Sequence, residues 1–269
     1  MDKDTIKKVV RDKYGTIAKA QGSCCSPSAS CCGPSKTADN VSKKIGYSDS
    51  ELSTLPGEAN LGLGCGNPTA LASLREGEAV LDLGSGAGID CFLAARKVGK
   101  IGRVVGVDMT SEMVDKARQN AALDGIENVE FRLGEIENLP AGDNSFDVVI
   151  SNCVINLSPD KKKVFEEAHR VLKPGGRLLV SDIVLLKALP DAIRSSVEAY
   201  TGCIAGAMLK DEYLNQISSA GFVDFEVVEE KILPREYLLS GELAREVADS
   251  MDLEAAVASV NVRGEKSRE

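Results

Sequence analysis

Short apolar runs alternate with amphipathic stretches through the middle of the chain. The runs that we interpret as strands cover 79–83, 103–108, 129–133, 146–151 and 176–184, and helical patterns lie between them at 89–98, 111–123 and 160–172. Runs such as Val148–Ile150 and Leu178–Val180 are apolar at every position, which is typical of parallel strands buried on both faces. The alternation predicts an α/β fold with a doubly wound, mostly parallel sheet that binds ligands at the carboxyl ends of its strands.

The chain before this region carries three further helical patterns and one segment without periodicity. We predict helices at 3–20, 45–55 and 67–74, and a flexible segment rich in Ser, Pro and Gly at 22–35. The first helix is amphipathic because its apolar residues recur at helical spacing. Asn67 is a suitable N-cap for the third helix, and Pro68 is a suitable first residue.

After the fifth strand this regular alternation is lost. We predict helices near 190–201, 210–219 and 241–253 and strands near 222–229 and 256–263. A strand–helix–strand ending suits an antiparallel edge strand added to the sheet. The predicted organisation is an N-terminal helical and cysteine-rich extension (1–56), a ligand-binding core (57–185) and a C-terminal α/β appendage (186–269).

The central feature of the sequence is a glycine-rich turn between the first strand and its helix. Gly84, Gly86 and Gly88 let a backbone approach a nucleotide-like ligand closely, and Asp108 ends the next strand, where a carboxylate can bind a ribose. The Gly-x-Gly-x-Gly spacing differs from that of dinucleotide sites, and Gly-Lys-Ser/Thr is absent. Asp82, beside the turn, suits a cationic ligand better than a pyrophosphate. A tight turn without any ligand remains the alternative.

Composition narrows the possible partners. The net charge of −9 argues against nucleic acid or an anionic membrane surface as the main partner. The sequence has neither a transmembrane run nor a pattern for export, so we expect a cytoplasmic protein. In that reducing compartment, its eight cysteines are not expected to form a stable disulfide framework.

The ordered motifs of the core resemble those of class I S-adenosylmethionine-dependent methyltransferases. They run through 80–90, 104–108, 134–140, 144–150 and 170–176. The resemblance implies a Rossmann-like fold with S-adenosylmethionine as cofactor. It implies that Gly84, Gly86 and Gly88 pass its methionine and ribose and that Asp108 takes the ribose hydroxyls. Five further residues complete the predicted cofactor site. Ile136 and Glu137 are expected at the adenine, and Met109 either packs on the adenine face or fills the core. The other two are Asn152 and Asp82, the carboxylate in the first strand.

The residues that receive the methyl group are not defined by these motifs. A hydroxyl or amine acceptor usually needs a base, and the one histidine, His169, lies in a helix away from the glycine turn. Cys65, Cys153 and Cys203 are instead all at loops or element ends beside small residues, which leaves a sulfur approachable. They form either a shared site or a set of unrelated thiols.

Three cysteine motifs resemble the arsenite methyltransferase family. These are Gly64-Cys-Gly66, the segment Ser151–Leu157 and the segment Gly202–Gly206. The resemblance implies that Cys65, Cys153 and Cys203 bind trivalent arsenic from arsenite or methylarsenite. It also implies that thioredoxin or glutathione supplies thiols and reduces the product. Trivalent arsenic prefers soft thiolate ligands, and its lone pair attacks a sulfonium methyl without any general base.

Two other hypotheses about the function are possible, and the role of one segment is undecided. The competing readings are a methyltransferase for an organic carbon or oxygen acceptor and a non-catalytic protein that binds metalloids. The open segment holds two adjacent cysteine pairs, Cys24–Cys25 and Cys31–Cys32, whose spacing is not that of common zinc sites. This segment could bind arsenite, form transient disulfides or be inessential. The family resemblance implies that one of its cysteines can pair with the cysteine of the Gly-Cys-Gly loop.

Overall fold

A seven-stranded sheet organises the protein, in the spatial order β3-β2-β1-β4-β5-β7-β6. The computed structural model describes residues 2–20, 35–234 and 255–269. The strands are β1 Ala79–Leu83, β2 Arg103–Asp108, β3 Val129–Leu133, β4 Phe146–Asn152, β5 Leu172–Leu185, β6 Phe222–Ile232 and β7 Val257–Lys266. Strands β1 to β5 are parallel, and β7 runs antiparallel to both β5 and β6. The predicted doubly wound, mostly parallel fold is confirmed.

Helices cover both faces of this sheet. Within the described residues they are α1 Lys3–Ala20, α2 Ser35–Lys44, α3 Asp49–Leu52, α4 Pro68–Leu71, α5 Ile89–Val98, α6 Ser111–Leu123, α7 Lys161–Val171, α8 Asp191–Arg194, α9 Val197–Thr201 and α10 Lys210–Ser219, with a 3-10 turn at Ile155–Leu157. Alternate residues of β1 face opposite sides. Leu81 and Leu83 therefore pack with Phe165 of α7, whereas Val80 packs with Phe92 of α5.

The structure differs from the predicted elements mainly at their ends. The helix expected at 45–55 is reduced to α3, which Ser48 begins with a capping box. Asn67 caps α4 as expected, but Ser73 has a φ of +44°, so the chain cannot continue as a helix to residue 74. The helix expected at 190–201 is divided into α8 and α9, because Ser196 caps a new start.

Strand β5 begins four residues before its predicted start. A register shift opposite β4 accommodates the Lys173–Gly176 turn inside the strand. Strands β6 and β7 each run three residues further than expected. The expected flexible segment at 22–35, apart from its last residue, and the expected helix at 241–253 lie outside the described residues, as do Cys24, Cys25, Cys31 and Cys32.

The first helix lies across the carboxyl ends of the strands. Ion pairs hold it there, including Lys7 with Glu135 at 2.6 Å and Lys19 with Glu112 at 2.8 Å. A Cβ on Gly15 would meet the Glu112 carboxylate at 3.3 Å, so the glycine allows a close approach to α6. Among the described residues, no helix is both long enough and apolar enough to cross a membrane.

Candidate active site

The three glycines of the turn after β1 have different surroundings. All three have positive φ, at +70° for Gly84, +52° for Gly86 and +101° for Gly88. A Cβ on Gly84 would lie 2.4 Å from Val154, and one on Gly88 would lie 2.6 Å from Phe92. A Cβ on Gly86 would meet nothing within 4 Å. Gly84 and Gly88 therefore allow close packing, whereas Gly86 faces open space.

Asp108 fixes the shape of this turn from the end of β2. Its carboxylate accepts the Gly86 amide at 2.9 Å and the Thr110 amide at 2.8 Å. Burial raises the pKa of Asp108, and these two donors lower it in part. A carboxylate oxygen can accept more than one hydrogen bond, so the group still has capacity to bind a hydroxyl of a ligand.

Ile136 and Glu137 form the opposite wall. Both are nearly buried. Glu137 accepts a hydrogen bond from the Ser158 hydroxyl at 2.7 Å, and the Lys7 ammonium of α1 lies 3.6 Å from the same carboxylate. The N-terminal helix therefore neutralises the wall that it covers.

A cavity of about 330 Å³ lies between the glycine turn, α1 and the α9 region, within the roughly 300–1,000 Å³ typical of small-molecule sites. Nine of the twelve residues predicted for the site line it: Gly84, Gly86, Asp108, Met109, Ile136, Glu137, Asn152, Cys153 and Cys203. Tyr14 and Ile17 of α1 line it as well. The structure thus brings seven of the nine predicted cofactor residues and two of the three cysteines to one space.

Three predicted residues do not line this cavity. Gly88 packs on Phe92, as described above. Cys65 is buried, with 6% of its surface exposed, and its thiol donates to the Ser181 carbonyl. Asp82 is buried, and its carboxylate accepts the Cys91 thiol at 3.2 Å, so the side chain supports the turn from below instead of reaching the cavity.

Asp90, to which the sequence had given no role, does line the cavity. Its carboxylate accepts the Tyr47 hydroxyl at 2.8 Å and the Asn152 amide at 3.1 Å. Burial raises the pKa of Asp90 to about 6, and these two hydrogen bonds lower it in part. Asp90 is the second residue of α5, the helix that follows the glycine turn, so its position in the sequence could have identified it as a candidate site residue.

Cys153 and Cys203 share an unusual backbone conformation. Cys153 has a φ of +58° and Cys203 a φ of +64°, in the left-handed region where a non-glycine residue costs roughly 1–2 kcal/mol. The Cys203 thiol donates to the Cys153 carbonyl at 2.9 Å. The Cys153 thiol interacts with the thiols of both Cys203 and Cys65, so it is the central member of the group. Strain of this kind is concentrated at functional sites.

Every polar atom of Cys65 has a partner, and the partners come from three strands. Its amide donates to Asn152 Oδ1 of β4 at 3.0 Å, and its thiol donates to the Ser181 carbonyl of β5 at 3.4 Å. Its carbonyl accepts the Ser259 hydroxyl of β7 at 2.7 Å. No pattern in the sequence connects the last strand with this cysteine, although polar Ser259 and Asn261 interrupt an otherwise apolar run.

The thiols are neutral at neutral pH when nothing is bound. Burial raises the pKa of Cys65 to about 11. A hydrogen bond with Cys203 lowers the pKa of Cys153, but the Cys65 thiol and burial together raise it well above the ordinary range. The Cys153 thiol and burial raise the pKa of Cys203 well above the ordinary range as well. A ligand that binds these sulfurs must therefore displace their protons.

Asn152 connects the two parts of the site. Besides accepting the Cys65 amide, its side chain donates to the Gly66 carbonyl at 2.9 Å and to Asp90. A Cβ on Gly64 would lie 2.8 Å from this side chain. The residue predicted for the cofactor therefore also holds the Gly-Cys-Gly loop.

His169 lies in α7, outside the cavity wall. Its ring packs edge-on against Phe222 at 5.2 Å between centroids.

Known proteins support the assignment that this geometry suggests. Residues 74–221 match the family described as a methyltransferase domain. The arsenite methyltransferase of Halobacterium salinarum is 47% identical over 232 residues, which are 84% of this chain and 59% of that protein. The arsenite methyltransferase of Mus musculus is 36% identical and matches 77% of this chain and 55% of that protein. The chain thus spans little more than half the length of these relatives.

A solved structure adds the three-dimensional comparison. The crystal structure of an arsenic (III) S-adenosylmethionine methyltransferase from Chlamydomonas reinhardtii superposes with a TM-score of 0.66. It is 34% identical, and the match covers 84% of this chain and 73% of that one. The shared fold, the matched methyltransferase domain and this identity lead to one conclusion: the chain belongs to the arsenite methyltransferase family, within the class I S-adenosylmethionine-dependent methyltransferases.

Proposed function

We propose that the protein transfers the methyl group of S-adenosylmethionine to trivalent arsenic bound by Cys65, Cys153 and Cys203. The observation that carries this proposal is that three thiols from three distant loops meet around Cys153, and that two of them, Cys153 and Cys203, line the cavity. Two of those cysteines are held in left-handed backbone conformations. A fold retains such strain only where the surrounding contacts impose it.

The residues around the glycine turn fit the methyl donor. The open side of Gly86 allows its backbone to approach the methionine and ribose, and Asp108 is placed to accept ribose hydroxyls. In this proposal Ile136 and Glu137 form the adenine wall, and Met109, which lines the same cavity, packs in one apolar cluster with the three cysteines. Asp82 supports the turn from below. When bound, S-adenosylmethionine supplies an electrophilic methyl group on a sulfonium centre.

The protonated thiols fit arsenite as the substrate. Arsenite carries three hydroxyls, and each As–S bond forms as an As–O bond breaks. The thiol proton leaves with the hydroxyl oxygen as water, so binding of arsenite to three thiols consumes and releases no net proton. Raised thiol pKa values are therefore compatible with binding at neutral pH. Arsenic is soft, and it prefers this sulfur set to oxygen or imidazole.

The main contribution of the chain to the reaction is position. Trivalent arsenic with three sulfurs keeps a lone pair, and that lone pair carries no proton, so the methyl transfer needs no general base. Alignment of two reactants can supply on the order of 7–11 kcal/mol of the barrier. Tyr14 and Ile17 of α1 line the cavity, and in this proposal they limit the access of water to the donor.

The reaction also needs a supply of electrons. Attack by the lone pair formally oxidises arsenic, and two electrons from thiols return it to the trivalent state. Thioredoxin or glutathione supplies them in this proposal, and the four cysteines that the structure describes are free. A reducing compartment such as the cytoplasm suits this chemistry.

One assay tests the proposal. The protein is incubated with arsenite, a thiol reductant and methyl-labelled S-adenosylmethionine, and methylarsenicals are separated and counted. Label in methylarsenicals is the expected result. Cys153→Ser should reduce the rate by more than about 100-fold, because losing a ligand should cost more than the roughly 10–100-fold effect of losing a group that only orients a ligand. Cys91→Ala is the matched control, because Cys91 is a buried thiol that contacts Asp82 and none of the other three cysteines.

Two outcomes would contradict the proposal. Arsenite bound without any labelled product would indicate a metalloid-binding protein. Full activity of Cys153→Ser, or methylation of an organic acceptor with no arsenic product, would indicate that the cysteines are incidental.

A further inference from the structure

A buried carboxylate lies among the thiols. One ligand atom each from Cys65, Cys153 and Asp182 lies within 4.8 Å of the other two. Asp182 is in β5, directly after Ser181, and is 1% exposed. Neither the predicted arsenic site nor the predicted cofactor site includes it.

Asp182 is held in a fixed orientation. Its Oδ1 accepts the Asn156 amide at 2.9 Å and the Ile183 backbone amide at 3.1 Å, and its Oδ2 accepts the Tyr213 hydroxyl at 3.1 Å. An ionised carboxylate can accept about four hydrogen bonds, so these three leave Oδ2 with capacity for one more partner.

Cys203 does not belong to this compact group. Its thiol is turned to the Cys153 carbonyl, although it also interacts with the central Cys153 thiol. Two donor sets therefore share Cys65 and Cys153. The first set adds the sulfur of Cys203, and the second adds an oxygen of Asp182.

These two sets suit different ions. Trivalent arsenic is soft, and three sulfurs around its lone pair complete its needs, so a carboxylate oxygen adds nothing. Zn²⁺ is borderline in softness and tetrahedral, and it binds Cys sulfur at about 2.3 Å and Asp oxygen at about 2.0–2.2 Å. A set of two thiolates and one carboxylate, with water in the fourth position, matches Zn²⁺.

We propose that Cys65, Cys153 and Asp182 form a binding site for a thiophilic divalent cation such as Zn²⁺, which excludes arsenite because both need Cys65 and Cys153. Binding forms two Zn–S bonds and one Zn–O bond, and the two thiol protons, with any proton carried by the Asp182 carboxyl group, pass to solvent. The competition with arsenite rests on the proposed function, whereas the cation site itself does not.

The decisive experiment compares two variants that separate the sets. The full chain is first reduced and then freed of reductant. It then competes with a chromophoric chelator for Zn²⁺, and the absorbance of the chelator reports the affinity. Cys24, Cys25, Cys31 and Cys32 are replaced by serine in every sample, so that they cannot bind the metal. Arsenite binding to the same proteins is measured by equilibrium dialysis.

Opposite effects are expected from the two variants. Asp182→Asn should weaken Zn²⁺ binding by at least about tenfold, the lower end of the effect of removing a metal's supporting group, and leave arsenite binding within about threefold. Cys203→Ser should weaken arsenite binding by at least about tenfold and leave Zn²⁺ binding nearly unchanged. Asp82→Asn is the control, since Asp82 is also a buried carboxylate beside a thiol but has one thiol neighbour, Cys91.

Asparagine is a mild substitution at this position. Its oxygen can still accept from Asn156 and Ile183, and its amide can donate to the Tyr213 hydroxyl. Thermal unfolding checks each variant. If Asp182→Asn does not fold, X-ray absorption of Zn²⁺ bound to the native side chains decides the question, with a mixed sulfur and oxygen shell expected.

The possible failures are distinguishable. Zn²⁺ affinity unchanged in Asp182→Asn, an all-sulfur shell, or no Zn²⁺ binding by a chain that binds arsenite would each overturn this site and leave the proposed function intact. Zn²⁺ binding that responds to Asp182→Asn in a chain that neither binds nor methylates arsenite would overturn the proposed function alone.

Discussion

The proposed donor half of the site and its proposed acceptor half are built in different ways. The donor half consists of the glycine turn, Asp108, Ile136 and Glu137, and the acceptor half of Cys65, Cys153 and Cys203. The hydrogen bond that shapes the donor turn, from Gly86 to Asp108, spans 22 residues of sequence. The three bonds that hold Cys65 span 87, 116 and 194 residues.

The two halves therefore depend on different parts of the fold for their stability. The donor half follows from consecutive strand–turn–helix units, whose geometry is set by backbone conformation close in sequence. The acceptor half depends on the register of β4, β5 and β7, because each supplies one partner of Cys65. Closing such long loops costs entropy, and the assembled sheet has to provide the compensation.

The largest effect expected in the donor half comes from two neighbouring glycines. Gly84→Ala would place a Cβ 2.4 Å from Val154 at a φ of +70°, and overpacking of this kind costs roughly 1–3 kcal/mol in addition to the backbone strain. Gly86→Ala meets no atom within 4 Å, so it should fold with a loss of only about 1–2 kcal/mol. Its methyl group should nevertheless obstruct the donor.

Thermal unfolding and calorimetric titration with S-adenosylmethionine measure both properties. Gly84→Ala should have the lower midpoint, and Gly86→Ala should lose donor affinity by more than about tenfold, or about 1.4 kcal/mol. Arsenite binding by Gly86→Ala should stay close to that of the unchanged protein. Full donor affinity in Gly86→Ala would remove the basis for placing the donor at this turn.

Substitution of Asn152 should weaken ligand binding in both halves of the site. Asn152→Ala removes the acceptor of the Cys65 amide and the donor to Gly66 and Asp90. We expect the affinities for arsenite and for S-adenosylmethionine to fall together, each by about 10-fold, since each lost hydrogen bond contributes roughly 0.5–1.5 kcal/mol. Loss of only one affinity would show that the halves are independent. Both are measured on the same preparation by titration.

A smaller and more selective effect is expected from the last strand. Ser259→Ala leaves the buried Cys65 carbonyl without its donor at 2.7 Å, which should cost about 1 kcal/mol at the acceptor half. The KM for arsenite should rise by about fivefold, while kcat and the KM for the donor stay the same. Ser259→Thr, which keeps the hydroxyl, should restore the original KM. A change in both KM values would indicate a general loss of structure.

The last prediction concerns the pH dependence of stability, where no change in activity is involved. Because the pKa of Asp90 is raised to about 6 from an unfolded value of 3.8, the native state binds a proton more tightly than the unfolded state does. The stability contributed by that proton is present below pH 4 and is lost as the pH rises to about 6. Between these values the free energy of unfolding should fall, relative to that of Asp90→Asn, by on the order of 1–3 kcal/mol.

Urea unfolding of both proteins at pH 4, 5, 6 and 7 measures this difference. A difference that stays flat, or that increases with pH, would show that Asp90 is charged throughout and that the Tyr47 and Asn152 hydrogen bonds outweigh its burial.

The sequence alone was sufficient to predict the fold, which the structure confirms, and to single out the glycine turn and three cysteines as candidate site residues. Continuous apolar runs specify buried parallel strands, and a glycine turn between strand and helix specifies one backbone path, so both can be recognised from residues that are close together. Cys153 could be placed at the ligand edge because it directly follows β4.

Which side chains lie close to one another depends on the tertiary structure. Asp82 and Asp90 lie near the same turn, yet only Asp90 lines the cavity, because the faces of β1 and α5 direct their side chains differently. Asp182 joins the thiols, and Ser259 reaches Cys65, only because β5 and β7 pair in a register that sets Ile183 beside Ser259. Strand order and register depend on the packing of the whole sheet, and no local pattern of residues encodes them.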